Sequence, residues 1–489
     1  MLGLTQKEID LLQVIFKQAG CVQKAVLFGS RAMGLHRHNS DVDIAIYGDG
    51  ITLRDILRIN AKIEETTMPY MFDFVLGDNA NEALAEHIKT YGKIIYEIGK
   101  WQKMKLCEAI CFNPTERLPK GTIAKKVAMD KLQPFVRDIP AYEIAPYNGG
   151  AKFRNDDTIM ARITPCLENG KTAFVNFLDE NEIGYGSTEF IVWRARDGAT
   201  DSNYIYYLSQ SPEIRDIAVK SMVGSSGRQR VQQSVLNNYE IDLPNLSTQR
   251  AIADTLSCLD DKIALNNRMN KTLEEMAQAI FKSWFVDFEP WGGVMPGDWE
   301  YYILNDLCML ISKGITPKYD DESNQVVINQ KCIRNKTINL SLARTHLPKK
   351  INEKWLNYGD ILINSTGEGT LGRAAQFLYE CDNYTADSHV TIVRPAKKSY
   401  IYYLGQWCLL REKEFASMAS GSTGQTDLPR ERLKTMESLL PNIATLECFN
   451  DIINPMLEKQ ISVQQESARL AAIRDALLPK LMSGEIEIK

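Results

Sequence analysis

From residue 259 the apolar positions fall into a stripe. Leu259, Ile263, Asn266, Asn270, Leu273, Ala277, Ile280 and Trp284 step by four and three, the seam spacing of a coiled coil, with the two asparagines diluting it. A second stripe, Leu457, Ile461, Ala468, Leu470, Ala471, Ile473 and Leu477, predicts a helix from about Pro455 to about Leu478, which Pro479 should end or kink. Ahead of each stripe the pattern shortens. Residues 158–163, 189–193, 361–364 and 390–393 read as short strands between Gly, Asn and Asp turns, so a mixed α+β globule should precede each helix. Residues 1–98 carry a third pattern. Thr5-Gln6-Lys7-Glu8 is a capping box for a helix bearing Ile9, Leu12 and Phe16, followed by two apolar strands around residues 25–28 and 42–47.

The first and second patterns repeat. WQKMKLCEAI from Trp101 parallels WEYYILNDLC from Trp299, 198 residues on. NYIYYLSQSPEIRDIA at 203 parallels SYIYYLGQWCLLREKEFA at 399, GSSGRQRV at 224 parallels GSTGQTDL at 421, and DLPN at 242 parallels LLPN at 439, offsets of 196 to 197. LDDKIALNN at 259 aligns with LEKQISVQQ at 457. Five matches in one order near one offset make residues 101–489 two copies of a single unit. Two such helices in one chain should pair antiparallel, placing a globule at each end. With 23 to 30 helical residues at ~1.5 Å each, the rod would span roughly 35–45 Å, close to the ~34–36 Å between major-groove sites one DNA turn apart.

These stretches resemble the specificity subunits of type I restriction-modification systems. The resemblance is carried by ERLPKGTIAKKVAMDKLQPF (116–135), YNGGAKFRNDDTIMARITPCLENGKTAFV (147–175), IDLPNLSTQRAIADTLSCLDDKI (241–263) and IRDALLPKLMSGEIEI (473–488). One departure stands: Gln249-Arg250 after the first Leu-Pro has no counterpart in NIATLECFND after Pro441. The resemblance implies double-stranded DNA as ligand, two target-recognition domains reading a bipartite, non-palindromic target, and docking of two methyltransferase subunits with motor-endonuclease subunits added for cleavage. It implies no catalysis or cofactor in residues 101–489, which carry neither Asn-Pro-Pro-Phe nor Asp-Pro-Pro-Tyr and no phosphate loop. Gly367-Glu368-Gly369-Thr370-Leu371-Gly372 fits a dinucleotide fingerprint, but too little helix follows it for that fold.

Charge adds a constraint on the DNA contacts. The 489 residues carry 57 Lys+Arg against 62 Asp+Glu, with 10 against 13 in residues 1–98, so binding to DNA must come from local patches. Lys152, Arg154, Arg162 and Lys171 cluster in the first globule, and Arg228 and Arg230 follow Gly224-Ser225-Ser226-Gly227; all six suit phosphate clamping or guanine reading. The counterpart Gly421-Ser422-Thr423-Gly424-Gln425 lacks Arg, so this pair of loops reads either as a DNA contact or as a structural turn. Ten scattered cysteines without metal-site spacing, no signal-like start and no membrane-length apolar run point to a reducing cytoplasm and no membrane.

In residues 1–98 the chemistry lies in the spacing: an apolar strand, Gly29-Ser30, ten residues, then Asp41-Val42-Asp43 opening a second strand. Alternation along a strand points Asp41 and Asp43 the same way, and like charges so placed call for cations. A third acid, Asp73, sits in Met71-Phe72-Asp73-Phe74-Val75. Three carboxylates and a Gly-Ser turn suit Mg²⁺ and a nucleoside triphosphate. The segment GSRA with Ser40-Asp41-Val42-Asp43 resembles the minimal nucleotidyltransferases of the DNA polymerase beta superfamily. That resemblance implies that Gly29 and Ser30 hold the triphosphate, that Asp41, Asp43 and Asp73 bind metal, and that Asp73 helps activate the attacking hydroxyl. An inactive fold kept for contact is the other reading.

The expected architecture is α+β and multidomain: a nucleotidyltransferase-like domain (1–98), a first target-recognition domain (101–250), a helical spacer (251–290), a second target-recognition domain (297–445) and a second spacer (446–489), the spacers pairing as an antiparallel coiled coil. The expected function is DNA specificity within a restriction-modification system. The alternative is a nucleotidyltransferase that uses the duplicated part as its DNA address.

Overall fold

The computed structural model describes residues 4–37, 40–48, 50–97, 101–225, 227–347, 354–367, 369–420, 426–486 and 488. Residues 99–100 between the first two expected domains, Ser226 in the middle of the first Gly-Ser loop, Glu368 and the loop 421–425 lie outside them. The chain forms two compact units, residues 1–261 with 471–489, and residues 262–470.

The N-terminal segment of the first unit has its own core. Helix α1 (Gln6–Ala19) starts with the expected box, Thr5 and Glu8 capping each other's backbone, and buries Leu12 and Phe16. Strand β1 (Lys24–Phe28) turns through the short helix α2 (Gly29–Ala32) towards β2 (Val42–Tyr47). Helix α3 (Leu53–Glu64), β3 (Phe72–Leu76), helix α4 (Glu82–Tyr91) and β4 (Lys93–Glu97) follow. The sheet order is β3-β2-β1-β4, with β2 and β3 parallel and the other pairs antiparallel. Val22, Leu27, Ile44, Ile46, Ile59 and Ile95 close the core against α1.

The duplicated part repeats at the level of hydrogen bonds. Strand Thr158–Ala161 lies between Thr172–Phe174 and Phe190–Ala195, and Ile361–Asn364 lies likewise between Ala374–Gln376 and Val390–Pro395. The ribbon joining Gln102–Lys105 to Glu240–Leu243 recurs as Glu300–Ile303 with Glu437–Leu440. Gly367 and its neighbours therefore connect two antiparallel strands, Ile361–Asn364 and Ala374–Gln376; the hairpin removes the parallel strand–helix–strand unit that a dinucleotide fold needs.

The long helices depart from expectation in extent. They run Leu246–Phe285 and Ile443–Met482, 40 residues each, against the 23 to 30 expected. The second starts twelve residues before Pro455 and passes through both prolines. Proline removes one backbone hydrogen bond, a cost of ~3 kcal/mol; here Leu446, Phe449, Ile453 and Leu457, spaced by three and four across Pro455, are all buried in the second core, and that packing outweighs the loss. Within the second unit, Asn266 donates to Glu466 at 2.8 Å and the Phe281 and Phe449 rings lie 6.0 Å apart, so these segments run in opposite directions. Within the first unit, Arg474 donates to Asp260 at 2.6 Å, and Tyr207 donates to the other Asp260 oxygen at 2.7 Å. Among the described residues no helix is long and apolar enough to cross a membrane, and all ten cysteines are unpaired.

Candidate functional site

The N-terminal acids are placed by the β2–β3 register. Asp43 and Asp73 are direct partners across the parallel pair, Asp43 half-buried and Asp73 exposed. Asp41 lies one residue before β2 and is exposed; the directly facing pair is thus Asp43 with Asp73, and Asp41 acts on Asp43 through its charge. Burial first, then the charges of Asp73 and Asp41, push the Asp43 carboxyl above its usual value, with Arg31 and His87 pulling it down. Gly29 sits at the end of β1 with φ +69°, and a Cβ there would come within 2.2 Å of Asp43 Oδ2. Only glycine allows both that backbone and that approach.

Sequence reasoning passed over Arg31. Its side chain is 1% exposed, donates through Nε and Nη2 to the Ser40 and Asp41 carbonyls at 2.7 to 3.2 Å, and lies 4.3 Å from the Tyr70 ring centroid. It ties the turn after β1 to the entry of β2, which fixes the acids relative to Gly29 and Ser30. A signal existed: an arginine directly after the Gly-Ser turn, within otherwise apolar surroundings. Among the described residues no three His, Cys, Asp or Glu side chains form a closed metal-binding set. Mg²⁺ does not require one, since it binds through one or two carboxylates and takes its other ligands from water and phosphate. The all-oxygen set of Asp43 and Asp73, beside a Gly-Ser turn, fits that chemistry.

Five of the six basic residues of the first globule bond to groups within it. Lys152 donates to the Glu116 carbonyl, and Arg154 pairs with the Glu116 carboxylate at 2.6 Å. Lys171 donates to Met129 O at 2.9 Å. Arg162 reaches Val231 O at 3.3 Å, while its Nε is shut from solvent without a partner. Arg230 grips Glu189 with two nitrogens at 2.6 to 3.0 Å. Arg228 is exposed, and its guanidinium has no partner among the described residues.

Behind this surface lies a buried pair that sequence reading did not single out. Arg194 donates Nε and Nη2 to Asp157, both at 2.7 Å; Arg394 donates the same atoms to Asp360 at 2.8 and 2.7 Å. Each aspartate also accepts the backbone N–H three residues before it, Arg154 and Asn357 respectively, at 2.8 Å. Arg194 further reaches Glu116 at 2.6 Å. Burial opposes ionisation of Glu116, but its bonds and charge contacts with Arg194 and Arg154 outweigh burial and hold it below the usual carboxylate range. Gln249, which has no counterpart in the second copy, is buried, donates to Pro244 O and Ala199 O and accepts the Asp201 N–H.

Comparison with known families agrees with this division. Residues 11–100 match the polymerase beta, nucleotidyltransferase family model. Residues 100–275 and 296–461 match the type I restriction modification DNA specificity domain, one stretch in each copy. The chain is 29% identical over 323 residues to the type I restriction enzyme MjaIX specificity subunit of Methanocaldococcus jannaschii, covering 60% of this chain and 71% of that protein. It is 25% identical over 432 residues to the HindI specificity subunit of Haemophilus influenzae, covering 72% and 90%. A crystal structure of a type I restriction-modification S subunit from M. genitalium is 16% identical, with a TM-score of 0.48 over 78% of this chain and 96% of that one. With both copies of its repeat matched, the chain belongs to the type I restriction-modification DNA specificity family.

Proposed function

We propose that this chain is the DNA-specificity subunit of a type I restriction-modification system, reading a bipartite, non-palindromic target. The observation that carries the reading is the duplicated recognition globule: two copies share backbone and buried scaffold yet differ at their surfaces, as two unlike half-sites require. Like the relatives named above, it would work within an assembly, binding two modification subunits, with motor-endonuclease subunits joining for cleavage. Co-expression with the cognate methyltransferase and genome-wide mapping of methylated adenines tests the DNA reading; two different half-sites around an unread gap are expected, and a continuous or palindromic motif refutes it. A chain that stays monomeric beside that methyltransferase refutes the assembly.

A second activity, Mg²⁺-dependent nucleotidyl transfer, is supported by the two carboxylates Asp43 and Asp73 that stand opposite each other on β2 and β3 beside the Gly29-Ser30 turn. Gly29 and Ser30 would hold the triphosphate, Asp41, Asp43 and Asp73 the metal, and Asp73 would help take the proton of the attacking hydroxyl. The metal, when bound, supplies charge neutralisation on the phosphates. On the alternative reading this transfer is the principal activity and the duplicated part only addresses it to DNA. Asp41→Ala or Asp43→Ala should abolish transfer of labelled nucleotide and leave DNA methylation intact. Wild-type protein that transfers none of the four ribonucleotides, to itself or to a lysate, refutes the activity.

A further inference from the structure

Backbone hydrogen bonds set up a position-by-position match between the two recognition globules at one edge of their sheets. Val231 N–H donates to Arg162 O at 2.9 Å, and Leu428 N–H donates to Ser365 O at 2.9 Å. Arg162 N–H donates to Glu189 O at 2.9 Å, and Ser365 N–H donates to His389 O at 2.8 Å. Arg230 bridges Ile163 and Val223, while Asp427 bridges Thr366 and Ser420. Val231 and Leu428 are both fully buried. Arg230 therefore corresponds to Asp427, and Glu189 to His389, on one shared backbone frame.

On that frame the charge at the 230/427 position is reversed, and its partner comes from elsewhere: Glu189 in the first copy, but Lys313 of strand Cys308–Lys313, not position 389, in the second. In the first copy position 230 carries a cation, held by the Glu189 carboxylate. In the second, position 427 carries the carboxylate, held by Lys313 Nζ at 2.7 and 2.8 Å, and His389 turns to Thr366 through Nδ1 at 2.8 Å. The backbone is the same with either charge, so these side chains do not set the fold. Nor do they add much to stability, because exposed ion pairs contribute little; the members are 47% and 23% exposed in the first pair and 30% and 42% in the second. A cation beside a carboxylate is, however, the complement of a G·C pair in the major groove: guanine O6 and N7 accept from Arg or Lys, and the cytosine amino group donates to Asp or Glu.

We infer that Arg230 with Glu189, and Asp427 with Lys313, each read one G·C base pair, cation to guanine and carboxylate to cytosine, in opposite orientation relative to the shared frame. The inference deepens the specificity-subunit reading and rests on it. One scaffold would then recognise two different half-sites by exchanging charge at a position whose backbone is already tied down, and Arg228, exposed two residues before Arg230, is placed to meet a phosphate.

Methylated-adenine mapping in cells expressing the full chain with its methyltransferase partner tests this. The wild type should fix a G·C pair in each half-site. Arg230→Ala should relax that position in one half-site, lowering discrimination by roughly 10- to 100-fold, and the double exchange Glu189→Lys with Arg230→Asp should invert it to C·G. Lys313→Glu with Asp427→Arg should invert the fixed pair in the other half-site only. Motifs unchanged in all variants, a change spreading to both half-sites, or methylation lost from variants that still bind the methyltransferase would overturn the inference. If the first-copy variants fail to fold, the second pair decides it. A wild type that yields no bipartite motif strikes instead at the specificity-subunit reading.

Discussion

Replacing Asp360 with alanine removes the carboxylate that answers Arg394 inside the second globule. Asp360 is 1% exposed and Arg394 12%, so water cannot take its place. Two charge-assisted bonds, at 2.8 and 2.7 Å, disappear together with the acceptor for the Asn357 N–H. Removing one partner of a buried ion pair costs about 3–5 kcal/mol; the Trp355 carbonyl, which accepts from Arg394 Nη2 at 2.5 Å, is neutral and offsets only part of it. At ~1.4 kcal/mol per tenfold, local opening of the globule should become roughly 100- to 4,000-fold more frequent. The first copy supplies an internal control. Arg194 is 28% exposed and keeps Glu116 at 2.6 Å after Asp157→Ala, which limits the loss there to about 2 kcal/mol. Native-state hydrogen exchange reads each globule separately, whereas one melting curve of a multidomain chain would not. Protection should fall in Ile361–Asn364 and Val390–Pro395 for Asp360→Ala, and by less in Thr158–Ala161 and Phe190–Ala195 for Asp157→Ala. A change below tenfold in the second copy, or a larger effect in the first, would refute the assignment of these pairs as the scaffold.

Three further outcomes are expected. Asp43→Asn should raise the thermal midpoint of the N-terminal domain: the Asp43 carboxyl is held above its usual value by burial and by Asp73 and Asp41, so the stability it contributes is lost as pH rises through its raised folded value. The same variant should lose any stabilisation by Mg²⁺, read by thermal shift at neutral pH. Gly29→Ala forces a side chain into φ +69° and onto Asp43 Oδ2, and should cost about 1–3 kcal/mol and remove the Mg²⁺ response as well. Glu116 behaves in the opposite sense to Asp43: its carboxyl is held low, so its contribution is present above the unfolded value and disappears as pH falls through the folded one. Glu116→Gln should weaken the first globule at neutral pH and converge with the wild type in acid, as followed by hydrogen exchange over a pH series.

Much of the architecture is readable because its signals are local or repeated. The Thr5–Glu8 box, the strands around residues 158–161 and 361–364, and the offset of 196 to 198 between copies each need only neighbouring residues or a self-comparison. Helix extent was not readable at Pro455, where a local penalty competes with burial of Leu446, Phe449, Ile453 and Leu457 in a core assembled from distant segments. The basic residues show the same limit. Lys152 and Arg154 converge on Glu116 from 36 and 38 residues away, and nothing in their own neighbourhood says that they are engaged.

The division into an N-terminal αβ domain and a duplicated α+β unit, and the candidates Gly29, Asp41, Asp43 and Asp73, can be read from consecutive positions, because hydrophobic alternation, turn residues and motif spacing are local properties. Folding in three dimensions sets which acids face each other, ties the Arg31 side chain from the turn to the second strand, and repeats Arg194 with Asp157 as Arg394 with Asp360. It also puts Arg230 and Asp427 in the same place. These depend on strand register and on charges brought together over tens of residues, where the cost of burying an unpaired group selects the partner and the local sequence carries no record of the choice.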